Sequence, residues 1–132
     1  MRADRPEPGD SLSGLSTERV LSPERVAELI ERGEAQVVDV RAPAEHEAGH
    51  IAGASHLPLE SLTQDAAQLD RSRPVVLYCR AGERSAVAAE AFAASGWDAQ
   101  SMAGGLLAWV ERGLPLEPEG GQVAERSGLP PA

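Results

Sequence analysis

No lysine occurs in the sequence: all 12 basic residues are arginine. That absence removes Schiff-base chemistry and the phosphate-gripping lysine of a P-loop from the candidate mechanisms. Only one cysteine, Cys79, is present. An internal disulfide is therefore excluded, and a reducing compartment keeps the thiol available for chemistry. The net charge is −9 and no basic run interrupts it. Without clustered cations nucleic acid is not an expected partner. No apolar stretch approaches the length of a membrane span, and the opening residues MRADRPEPGDSLSG lack the apolar core of a secretory signal. The expected location is the cytosol, with no membrane contact.

What remains is ordinary for a folded domain: 132 residues, 42% hydrophobic and 25% charged, enough for one core and too little for two. Both ends are rich in Pro, Gly and charge. Residues 1–14 and 117–132 are therefore read as flexible tails around a folded body of residues 15–116, with a monomer as the default state.

Within the body, Ser22, Pro23 and Glu24 form a helix start of N-cap, first-turn proline and acid, followed by Val26, Leu29 and Ile30 on one face and Gly33 at the stop. Val37 to Val40 reads as a short buried strand interrupted by Asp39, and Pro43 to Ala48 as a short helix. Leu57 to Leu59 adds a small strand, and Leu62, Ala66 and Leu69 a helical stripe. Val75 to Cys79 is the clearest strand. A helix carrying Val87, Ala88, Ala91 and Phe92 runs to Gly96, Ala99 to Met102 is a strand, and Leu106, Leu107 and Val110 mark a last helix ending at Gly113. Alternating strands and helices predict an α/β fold with a mainly parallel sheet covered on both faces.

Cys79 ends the most buried strand and opens the loop into the next helix, which is where such sheets place ligands. A strand, a glycine-containing loop and a helix start aim several N–H groups at one point, an anion-binding nest backed by the helix dipole. The nucleophilic form of cysteine is the thiolate, which that field favours. Arg80 and Arg84 add cationic charge if their side chains turn inward.

The stretches VVDVRAPAEHEAGHIAGASHLPL, VVLYCRAGERSAVAA and MAGGLLAWVERGLPL resemble the rhodanese-like sulfurtransferase family in its single-domain form, from about Leu21 to Leu116. The resemblance implies a three-layer fold with a five-stranded sheet flanked by helices. It implies that Cys79 accepts a sulfane sulfur as a persulfide and that the loop of Arg80, Ala81, Gly82, Glu83 and Arg84 binds the sulfur donor through its backbone. The partners it implies are a small anionic donor such as thiosulfate and an acceptor that is cyanide, a thiol or a protein. Such covalent chemistry needs no metal or organic cofactor.

Two other readings stand beside it. A phosphatase or arsenate reductase on a related scaffold places an arginine after five residues, whereas four separate Cys79 from Arg84 and Ser85 occupies the phosphatase arginine's position. A relay module would receive sulfur from a partner without turning over by itself. Glu83, acidic within an anion-binding loop, is expected to face solvent.

Supporting roles fall to Asp39, which needs a partner if buried, to Arg41, paired here with Glu45, and to His50, expected to fix its turn by hydrogen bonds. His46 and His50 are four apart, a spacing that raises zinc, but Gly49 ends the helix between them and no cysteine pair follows, so no metal site is expected. His46 is expected to be solvated. Trp109 is read as core, Trp97 as a partly exposed plug, and Gly104 and Gly105 as a tight turn closely approaching the cysteine loop.

Overall fold

The computed structural model describes residues 19–125. The N-terminal tail assigned to residues 1–14 and the end of the C-terminal one, residues 126–132, lie outside the described residues.

Strands β1 (Val20–Leu21), β2 (Gln36–Asp39), β3 (Ser55–His56), β4 (Val75–Tyr78) and β5 (Ala99–Met102) form one sheet in the order β1-β5-β4-β2-β3. Every pairing is parallel. Helices α1 (Pro23–Glu31), α2 (Pro43–Ala48), α3 (Leu62–Asp65), α4 (Glu83–Ala94) and α5 (Gly105–Glu111) supply the connections.

Period-two alternation along β4 divides the core. Val75, Leu77 and Cys79 pack with Val38, Leu57, Leu62, Ala88 and Phe92 on the α4 side. Val76 and Tyr78 pack with Val26, Leu29, Leu106 and Trp109 on the α1 and α5 side. The α1 start follows the sequence, since the Ser22 hydroxyl accepts from Arg25 N at 3.1 Å and Pro23 occupies the first turn. Trp109 is core, and its Nε1 donates to Pro115 O at 2.8 Å. Trp97 is more buried than a plug, packed on Phe92 at 5.2 Å and covered by the Arg71 guanidinium.

Some elements differ from expectation. The strand read at Leu57 to Leu59 lies two residues earlier, at Ser55–His56, because Leu57 N and Leu59 N hydrogen-bond to Asp39 O and Val40 O while Pro58 leads into a 3-10 turn. The helical stripe after it is broken, with 3-10 turns at Leu59–Ser61 and Ala66–Gln68 on either side of the four-residue α3. Strand β1 is too short to carry periodicity, and backbone bonds from Ser101 N to Arg19 O and from Ala103 N to Leu21 O define it.

The segment after Leu116 is held against the body. His50 and Glu117 exchange backbone hydrogen bonds of 2.9 and 2.8 Å, and Gln122 N donates to Ala48 O at 2.8 Å. Side-chain composition predicted a tail there, and backbone pairing, which composition does not report, holds residues 117–125 in place.

Candidate active site

The site is built at the carboxyl end of β4. Gly82 adopts φ 110°, a left-handed conformation that glycine tolerates, and turns its N–H toward Cys79 Sγ at 3.1 Å. Ser85 N approaches the same sulfur at 3.4 Å. Both amides belong to the start of the twelve-residue α4, whose dipole adds positive potential at the sulfur. The Cys79 thiol contacts Ser85 Oγ at 3.6 Å, and that hydroxyl donates to Gly82 O at 3.3 Å. A hydroxyl rotates, so the same Ser85 group can turn to donate to the sulfur once it is ionised. Cys79 itself is fully buried.

Behind the loop, Leu106 N and Leu107 N at the start of α5 donate to Cys79 O and Arg80 O at 2.9 and 3.0 Å. The close approach expected of the glycine pair is present. Gly105 sits at φ 61°, and a Cβ there would lie 2.5 Å from Arg80 O and 2.6 Å from Cys79 O. Gly105→Ala is expected to destabilise the fold by about 1–3 kcal/mol and to displace the cysteine loop. Thermal denaturation together with the alkylation rate of Cys79 checks this, and a variant matching the native protein in both would refute it.

Both loop arginines meet carboxylates or carbonyls of the protein. Arg84 Nη1 and Nη2 donate to the two oxygens of Glu45 at 3.1 Å each, and Glu45 Oε1 also accepts from Ala42 N at 3.1 Å. Burial pushes the Glu45 carboxyl up, yet Arg84, the Ala42 amide and Arg41 outweigh it and hold it below the usual range. The Glu45 hydrogen bonds and charge outweigh burial and hold the Arg84 guanidinium above its ordinary value. Arg80 turns the other way: its Nε donates to Ala124 O at 3.1 Å, and its Nη2 lies 3.9 Å from Glu125. Ala81 is half-buried, and Glu83 is exposed as expected.

Beneath the loop, Asp39 and Arg41 are both fully buried. Arg41 Nε and Nη2 donate to the two Asp39 oxygens at 2.8 and 2.7 Å, and Arg41 N donates to Oδ1 at 3.0 Å. Arg41 thus pairs with Asp39 and not with Glu45, because the two-residue spacing lets the guanidinium fold back on its own strand while Glu45 faces Arg84. Tyr78 OH, 3.1 Å from Oδ2, and His46 Nδ1, at 2.8 Å, complete the shell, and Tyr78 OH also accepts from Ile51 N. Burial opposes the Asp39 charge, and Arg41 first, then His46, hold its carboxyl below the ordinary value.

His46 is therefore not solvated. It is stacked between His50 and His56, with ring centroids 3.9 and 4.3 Å away. Facing a carboxylate, its Nδ1 carries the proton. Burial is the main cause that lowers the His46 pKa, the two neighbouring rings add to it, and Asp39 opposes it. His50 Nδ1 bonds His46 O at 2.8 Å, the turn-fixing role expected of it, and His56 Nε2 bonds Arg41 O at 2.7 Å. Among the described residues no group of three or more His, Cys, Asp or Glu could hold a metal ion, and no helix is long and apolar enough to cross a membrane.

The Rhodanese-like domain family model matches residues 22–112, most of the chain. The chain belongs to the rhodanese-like domain family. A thiosulfate sulfurtransferase GlpE of Pseudomonas aeruginosa is 39% identical over 90 residues, covering 67% of this chain and 81% of its own. A sulfurtransferase of Allochromatium vinosum is 37% identical over 86 residues, covering 64% and 80%. Among solved structures, a rhodanese-related protein of Thermoplasma volcanium superposes with a TM-score of 0.71 at 31% identity, covering 76% of this chain and 99% of its own. This rhodanese-like domain thus shares its family with sulfurtransferases, and its five-stranded α/β architecture is the family's fold.

Sequence reasoning singled out Cys79, its loop, Asp39, Arg41 and His50, which the structure places around the carboxyl ends of β2 and β4. It missed Glu45 as the partner of Arg84, Tyr78 as a donor to Asp39, and the stacking of His46. Glu45 did leave a trace: an acid three residues after Ala42, at the start of a proline-led helix, is placed to accept from that backbone.

Proposed function

We propose that this rhodanese-like domain transfers a sulfane sulfur from an anionic donor of the thiosulfate type, through a persulfide on Cys79, to a thiophilic acceptor. The observation that carries the reading is the convergence of Gly82 N and Ser85 N on Cys79 Sγ at a helix start. Two N–H groups aimed at one sulfur make a nest suited to an anionic sulfur donor and to the terminal sulfur of a persulfide.

In the first step the Cys79 thiolate attacks the outer sulfur of thiosulfate. A new S–S bond forms, the donor's S–S bond breaks, and sulfite leaves with the electron pair. In the second, cyanide or a thiolate attacks the terminal sulfur, and the bond from that sulfur to Cys79 breaks to regenerate the thiolate. The sequence is a ping-pong cycle in which the loop amides hold negative charge throughout. Phosphate-ester chemistry is disfavoured by the loop, since Ser85 stands where the phosphatase arginine would be and its hydroxyl faces Gly82 O.

Intact mass after incubation with thiosulfate, followed by a cyanide chase read as thiocyanate, tests the reading. One sulfur gained and then removed by cyanide is the expected result. No gain from thiosulfate would overturn the proposed donor, and phosphatase turnover in its place would overturn the reaction class.

A further inference from the structure

Residues 117–125 lie against the body of the domain. They cross from the end of α2 to the cysteine loop, tied to His50 and Ala48 at one side and to Arg80 at the other. The crossing is a close backbone contact: a Cβ on Gly49 would lie 2.6 Å from Gln122 O, and one on Gly121 would lie 2.8 Å from Pro118 O and 3.1 Å from Gly49 Cα. Val123 packs beside Leu114 and Leu116 on the α1 and α5 side of the core. The segment is thus seated on the body and delivers Ala124 O and the Glu125 carboxylate to Arg80.

Arg80 follows the nucleophile directly, and Cys79 has no exposed surface. A donor must therefore pass the residues that border the loop, Arg80 among them. The charges there are already opposed: Arg84 is matched by Glu45, Arg80 faces Glu125, and Glu83 adds a further exposed carboxylate. We infer that the segment Gln122–Glu125 determines which sulfur donors the site accepts, by holding Arg80 off the donor and offsetting its cation with Glu125. The inference rests on the sulfur-transfer reading above. Its consequence is a site that favours donors of low negative charge over the dianion thiosulfate.

The test compares kcat/KM for thiosulfate with that for methanethiosulfonate, a sulfane-sulfur donor that carries one negative charge fewer and releases methanesulfinate in place of sulfite. Thiocyanate formed in a cyanide chase is the readout, in the full chain and in Glu125→Gln, Gly121→Ala, Arg80→Ala and the Glu125→Gln/Arg80→Ala double variant. Glu125→Gln is expected to raise the thiosulfate value by about two- to fivefold, the scale of an exposed ion pair, and the methanethiosulfonate value by less. High salt shrinks that gain, and it vanishes when Arg80 is absent. Gly121→Ala, which displaces the segment by crowding, shifts the ratio the same way. An unchanged donor ratio in both Glu125→Gln and Gly121→Ala, or a gain that persists without Arg80, overturns the inference. Failure of the native protein to take sulfur from either donor overturns the sulfur-transfer reading and this inference together.

Discussion

Cys79→Ser is expected to abolish sulfur uptake, with a loss of at least about three orders of magnitude in turnover, while the domain stays folded. Serine is close in size and its oxygen can accept from the two amides that now face Sγ, Gly82 N and Ser85 N. The fold therefore keeps its loop while losing the sulfur atom that the proposed persulfide requires. Cys79→Ala gives the same catalytic result but leaves those amides without that acceptor, so serine is the cleaner variant. Thiocyanate formation and intact mass measure the loss, and circular dichroism measures the fold. Appreciable thiocyanate from the folded serine variant would remove Cys79 from the mechanism.

Asp39→Ala is expected to be the most damaging substitution for stability. It strips the fully buried Arg41 guanidinium of two charge-assisted hydrogen bonds and leaves Tyr78 OH and His46 Nδ1 without their shared acceptor. Removing one partner of a buried ion pair costs about 3–5 kcal/mol, and on a domain of this size that lowers Tm by roughly 15–30 °C. The pH dependence has a definite sign. Asp39 titrates below its ordinary value in the folded protein, so the unfolded chain takes up the proton first as pH falls. Its stabilising contribution is complete above about pH 5, begins to fall near the unfolded value of about 3.9, and is lost as pH drops through the depressed folded value. Urea denaturation of the native protein and of Asp39→Asn as a function of pH is the check. The stability gap should be flat above about pH 5 and narrow below about pH 4. A loss under about 1 kcal/mol at neutral pH would show that the pair contributes little net stability.

Legibility in the sequence followed the kind of information each feature carries. The buried strand leading into Cys79, Val75–Tyr78, was readable because consecutive β-branched and apolar residues bounded by Pro74 and a glycine loop have one economical structure. The approach of Gly105 was readable because two adjacent glycines before an apolar helix mark a backbone contact. Strand β1 was not readable, since two residues carry no period and its partner is supplied by β5. The seating of Gln122 was hidden for a related reason: its anchors are backbone groups and the space left by two glycines, and neither appears in hydropathy.

By itself the sequence determined where the single cysteine falls, the length of the loop that follows it, the helix start behind that loop and the order of the elements that form a parallel sheet, because local patterns of hydrophobicity and turn residues encode these. Only the tertiary structure decided where each charge goes. Arg84 meets Glu45 across 39 residues of chain and Arg80 meets Ala124 across 44. Charged side chains have long stems and no periodicity, so their partners depend on which strand ends and loops the sheet order brings side by side.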